Sequence, residues 1–107
     1  VSGGDRETIN EIVIMFKDQC VDIYNEMESR LTEKNYTLLG LLAHKAKSSV
    51  AIMGMNDLAQ MLRTFELQAK EGIESQLFES YITRYKTETE AAVTELENLV
   101  NNRLTGK

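Results

Sequence analysis

Across 107 residues the apolar side chains recur at steps of three and four almost from end to end, and no proline interrupts them. That spacing matches the 3.6-residue turn of an α-helix: one stripe of each segment points inward and the charged residues take the opposite face. No stretch shows the two-residue alternation of a half-buried strand. An all-α fold is therefore expected before any single residue is interpreted.

The first run, Ile9, Ile12, Val13, Phe16, Cys20, Ile23, Met27 and Leu31, predicts a helix from Arg6 to Glu33 with Asp5 as its N-cap. Glu33-Lys34-Asn35 breaks it, and Asn35 is placed to cap the second helix. That helix, Tyr36 to Met53, is expected to bury Leu38, Leu39, Leu42, Ala46, Ser49, Val50 and Met53. Gly54 then stands where a positive φ is wanted, and Asn56 can cap the third helix. The third, Asp57 to Lys70, carries Leu58, Met61, Leu62, Phe65 and Ala69 inward and ends at Gly72. The fourth, Glu74 to Arg103, turns Phe78, Tyr81, Ile82, Tyr85, Ala92, Val93, Leu96, Leu99 and Val100 to the core. Breaks this short force neighbouring helices to pack antiparallel, so the expected architecture is an up-down-up-down antiparallel four-helix bundle. Residues 1–4 read as a fragment boundary or a cloning remnant, and 5–107 as a single domain.

Composition narrows the function. The net charge of −5 has the wrong sign for a chain that lives on nucleic acid or anionic lipid. No apolar run approaches the roughly 20 residues that span a bilayer. One Cys and one His leave nothing for a structural zinc site, and no metal ligands are expected. The lone Cys20 reads as a small core hydrophobe in a reducing, cytoplasmic setting.

His44 is the informative residue. With Leu42 taken as the centre of the buried stripe, His44 falls about 160° away, facing solvent. Its stripe contains Thr37, Gly40, Lys47, Ser48 and Ala51, with Met55 just beyond, where a solvated face would carry Glu, Lys, Gln and Arg. Gly40 and Ser48, one turn to either side, leave the ring uncrowded. Glycine inside a helix costs about 1 kcal/mol relative to alanine, and close approach of another protein would justify it. Lys47, with Lys45 nearby, supplies positive charge for an anion on the ring. An exposed imidazole so flanked suits reversible phosphorylation on nitrogen, with charge-assisted hydrogen bonds from Lys47.

The residues Ala43-His44-Lys45-Ala46-Lys47-Ser48-Ser49, then Met53-Gly54-Met55, Leu58 and Phe65-Glu66, closely resemble the histidine-containing phosphotransfer (HPt) domain of multistep phosphorelays. The match is close over residues 38–72 and looser over the remaining helices. It implies that His44 accepts the phosphoryl group, that Lys47 supports it, and that Ser48 takes a small position often held by Gly. Ser48 would add a contact to the phosphoryl group or narrow access slightly. Phe65, where Leu is commoner, would alter packing only. The resemblance also implies a phosphocarrier that is not itself an enzyme and has no cofactor of its own. Response-regulator receiver domains would supply the aspartyl phosphate and Mg²⁺, and the domain would be free-standing or part of a hybrid sensor kinase. The residues agree in offering no second His, no Gly-rich phosphate loop and no acidic cluster facing His44.

Two rivals bear on the same residues. In a kinase dimerisation and phosphoacceptor domain the His is typically followed by an acidic residue and then Pro, whereas Lys45 follows here and Pro is absent. A plain interaction bundle would leave His44 incidental. A Cys20–His44 nucleophile pair fails because the two residues lie on opposite faces. A completed four-helix core predicts a monomer, whose receiver-docking face is expected to comprise Thr37, Gly40, Leu41, Lys45, Ser48, Ala51 and Met55. Met53, Met55 and Met61 read as apolar filler, Tyr81 and Tyr85 as packing residues with hydroxyls at the rim, and Glu88, Glu90, Glu95 and Glu97 as a solvated face.

Overall fold

The computed structural model describes the backbone of residues 2–105 and the side chains of residues 9–99. It contains α1 (Ser2–Thr32), α2 (Tyr36–Ile52), α3 (Asn56–Glu71), a 3-10 turn at Ser75–Leu77, and α4 (Phe78–Thr105), with no strand among the described residues. Each helix packs antiparallel on its neighbours, and α4 closes the ring against α1. The architecture is the up-down-up-down four-helix bundle that the apolar spacing predicts.

The helices are of two lengths. At 1.5 Å per residue, α1 and α4 run roughly 40–45 Å while α2 and α3 run about 25 Å. The N-terminal part of α1 and the C-terminal part of α4 therefore extend past the ends of α2 and α3. This corrects the expectation that Ile9, Ile12 and Leu99 point into a core: all three are exposed, Ile9 and Leu99 toward the ends of the long helices and Ile12 at the open groove between α1 and α2. Val100, expected to be inward, lies outside the residues whose side chains are described. Helix α1 begins at Ser2, so Asp5 lies inside it rather than capping it.

The core proper holds Phe16, Cys20, Ile23 and Met27 from α1, Leu39, Leu42, Ala43, Ala46 and Val50 from α2, Leu58, Met61, Leu62, Phe65 and Ala69 from α3, and Phe78, Ile82, Tyr85 and Val93 from α4. Leu38, expected inward, is exposed at the rim. Phe78 anchors an aromatic group, its ring centroid 5.3 Å from that of Tyr36 and 5.2 Å from that of Phe65. Such edge-to-face and tilted pairs add about 0.5–1.5 kcal/mol each beyond burial. The hydroxyl of Tyr81 donates to Gln68 Oε1 at 2.9 Å. Tyr85 departs from expectation: it is fully buried, and its hydroxyl has no hydrogen-bond partner among the described residues.

The turns reflect local chemistry. Asn35 caps α2, its side chain accepting from the Leu38 amide. Gly54 and Gly72 take φ of +80° and +70°, left-handed conformations that cost glycine nothing. Asn56 does not cap α3; it is the first helical residue, and Met55 occupies the cap position. Glu74 does not start the last helix either, because its φ of +58° turns the chain into the 3-10 segment ahead of Phe78.

Candidate functional site

The buried residues of α2 are Leu39, Gly40, Leu42, Ala43, Ala46 and Val50. Their centre lies between Ala43 and Ala46 rather than at Leu42, because α2 packs more tightly against α3 than against α1. This rotation moves His44 from the back of α2 to its seam with α3. There the side chain keeps 56% of its surface exposed, while Nδ1 stands 3.1 Å from Glu66 Oε2.

Glu66 is buried, with 8% of its side chain accessible. Lys70 Nζ donates to its Oε2 at 2.8 Å and Lys47 Nζ to its Oε1 at 3.4 Å. Burial by itself pushes a carboxyl upward, and it is the largest single influence on Glu66. The hydrogen bonds from Lys70 and His44 and the charges of His44 and Lys47 together outweigh it and hold the group at about 2. The carboxylate is thus ionised, and its oxygens are occupied by donors from both helices.

Gly40 belongs to this seam and not to a docking face. It is buried, and a Cβ there would stand 3.1 Å from Lys70 Cγ, 3.4 Å from the Glu66 carbonyl oxygen and 3.6 Å from Ala69 Cβ. The missing side chain lets α3 approach α2 closely enough for Glu66 to reach His44, with Lys70 packed beside Gly40 and bonded to Glu66. The close approach inferred from an interior glycine is real, but the visitor is α3.

The other expected site residues separate into groups. Thr37, Leu41, Ser48 and Ala51 are exposed on α2. The Ser48 hydroxyl turns back to donate to the His44 carbonyl at 3.3 Å, in its own helix. Lys45 is exposed on the other flank, lining a groove between α1 and α2 with Ile12, Met15, Asp18, Asp22 and Ile52. It does not stand beside the ring with Lys47 as expected. Met55 is half-buried and packs on the core. Cys20 is buried and lines a cleft between α1 and α4 with Tyr24 and Thr89, out of reach of His44.

Glu66 is the residue that sequence reasoning passed over. Its signal was there: it lies four residues after Leu62 and three before Ala69, a charged residue inside the apolar stripe of α3. A carboxylate at such a position needs a cationic partner across the helix interface. No acidic cluster was expected to face His44, and the structure places one carboxylate there, that of Glu66.

A family model for the Hpt domain matches residues 11–102. The chain belongs to the Hpt domain family. No curated protein and no solved structure gives a match. Hpt domains are phosphocarriers that exchange phosphoryl groups with receiver domains in phosphorelays and are not themselves catalysts. In this Hpt domain the exposed imidazole sits on the second of four helices, within the matched segment and backed by a carboxylate from the third. No helix among the described residues is long and apolar enough to cross a membrane.

Proposed function

We propose that His44 is the phospho-accepting residue of this Hpt domain and that Nε2 is its reacting atom. The observation that carries this reading is the carboxylate on Nδ1. An ionised Glu66 can only accept a hydrogen bond, so the neutral ring holds its proton on Nδ1 and its lone pair on Nε2. The lone pair is then on the edge of a half-exposed ring that does not face Glu66.

In the forward step Nε2 attacks the phosphorus of a receiver's aspartyl phosphate. The N–P bond forms, the P–O bond to the aspartyl carboxylate breaks, and that carboxylate leaves with the electron pair. The proton on Nδ1 stays in place while the ring gains positive character, which the Glu66 carboxylate stabilises directly across 3.1 Å. Reversal on a second receiver returns the phosphoryl group to an aspartate. Lys47, held near the ring by Glu66, supports the phosphoryl oxygens, and the hydroxyl of Ser48 is the second group assigned to them. Neither acts as acid or base.

The donor set at His44 does not suit Mg²⁺. Its carboxylate, Glu66, is already bound by two ammonium groups and the imidazole, so the metal is assigned to the receiver. Thr37, Leu41, Ser48, Ala51 and Ile52 make up the docking face on α2, extended by Ile12 and Met15 of α1 across the groove. The domain acts as a monomer in this reading. The test is transfer from a radiolabelled receiver to the wild type and to His44→Gln in parallel. The wild type should acquire an acid-labile, base-stable label. His44→Gln should acquire none while keeping its helical circular dichroism. A labelled His44→Gln would remove His44 from the mechanism.

A further inference from the structure

Beginning one turn past His44, between the C-terminal half of α2 and the N-terminal half of α3, lies an open hollow of about 340 Å³. Lys47, Ser48, Ala51, Ala59, Gln60 and Arg63 line it. The two alanines leave the space empty and the four polar side chains ring it with hydrogen-bond donors. Arg63 is exposed and has no carboxylate within 4.0 Å among the described residues, unlike Arg30 and Arg84, which are paired with Glu33 and Glu88. In a chain of net charge −5, Lys47 and Lys70 converge on the carboxylate of Glu66 beside His44, and Arg63 faces the hollow with Lys47. Charge of that sign, held unpaired at the rim of an empty hollow, complements an anion.

We infer that Arg63, with Gln60, selects the receiver partner by taking one of its acidic side chains into this hollow. The inference rests on the phosphotransfer reading above but concerns a different step, docking rather than transfer. The phosphoryl group itself is a poorer occupant. The hollow runs on to Ala51, seven residues or roughly 10 Å past His44 along the helix axis, whereas a phosphoryl oxygen, two bonds from the ring nitrogen, reaches only its near edge at Lys47 and Ser48. A carboxylate on a partner seated over the ring reaches that distance without strain. Guanidinium binds it through two parallel donors, which makes Arg63 a determinant of orientation as well as affinity.

The experiment measures phosphotransfer as a function of receiver concentration. A panel of receiver domains phosphorylated with acetyl phosphate is used, and the receiver that labels the wild type fastest is carried forward. Arg63→Glu should raise KM for that receiver by about tenfold or more, and Arg63→Gln by about threefold, with the lifetime of the isolated phosphohistidine unchanged. Lys86→Glu, which makes the same net-charge change on α4, should leave KM within about twofold. Replacing the receiver's matching acidic residue with Lys should restore binding to Arg63→Glu. An unchanged KM in Arg63→Glu, or an equal rise in Lys86→Glu, overturns the inference while the phosphotransfer reading stands. A shortened phosphohistidine lifetime at unchanged KM would instead place Arg63 on the phosphoryl group. If no receiver labels the wild type, the phosphotransfer reading falls and takes this one with it.

Discussion

Glu66 does two jobs at the scale of a single residue. It stands 3.1 Å from His44 Nδ1, where the proposed mechanism has it hold the ring proton, and it gathers Lys47 and Lys70 at the seam of two helices. Glu66→Gln keeps the shape and removes the charge, and should slow transfer by about tenfold or more, as lost charge stabilisation of a developing cation does elsewhere. Labelling rates at saturating receiver check this, with Lys47→Ala as companion, expected to shorten the phosphohistidine's lifetime. The same carboxylate makes stability depend on acid. Its folded-state value of about 2 lies below the 4.5 of a free side chain, so its contribution is complete above pH 5 and is lost as pH falls toward 2. That contribution is of the order of 3 kcal/mol, readable as the wild-type minus Glu66→Gln difference in denaturant midpoints across this range. Tyr85 offers a contrasting case. Its hydroxyl is buried without a partner, so Tyr85→Phe should stabilise the bundle by about 1 kcal/mol; a lower melting temperature would mean that the Cys20 thiol and Thr89 beside it satisfy the hydroxyl after all.

The element that matters most is the α2–α3 pair, and Gly40 sets its spacing. An isolated helix would gain about 1 kcal/mol from a better helix former at this position. In the bundle, the first carbon of the Gly40→Gln side chain would stand 3.1 Å from Lys70 Cγ and 3.4 Å from the Glu66 carbonyl oxygen, so the Lys70 stem and the helix seam must give way. The variant should therefore lose about 1–3 kcal/mol, since overpacking a close interface forces backbone shifts. It should also weaken the His44–Glu66 hydrogen bond, visible as a change in the imidazole nitrogen chemical shifts. If melting temperature rises and the ring is unperturbed, α3 does not need Gly40 to reach His44. Periodicity located both helices to within a residue or two and named all five apolar core residues of α3. It also placed His44 in solvent, as the structure has it, but not beside Glu66, because nothing within α2 reports that α3 is the closer neighbour.

Over the whole molecule, charge and length are distributed unevenly. The chain is acidic, with a net charge of −5, yet Lys47 and Lys70 gather at Glu66 beside the imidazole, and in the proposed docking these cations would attract an acidic receiver surface. Transfer should slow as salt rises from about 50 to about 500 mM, and a flat dependence would show that these cations do not guide docking. Solution mass should match one 12.2 kDa chain, although the extension of α1 and α4 leaves Ile9 and Leu99 uncovered. Local chemistry, legible residue by residue, determined that there are four helices, where they break, that they run antiparallel, and which imidazole stands out. Periodicity is a property of each segment, so it needs no knowledge of partners. Tertiary packing decided the rest: the rotation of α2, the burial of Glu66, the purpose of Gly40, the removal of Lys45 to the α1 side, and the hollow at Arg63. Each of these depends on the distance between two helices remote from one another's sequence, and that distance emerges only when the side chains of both are packed together.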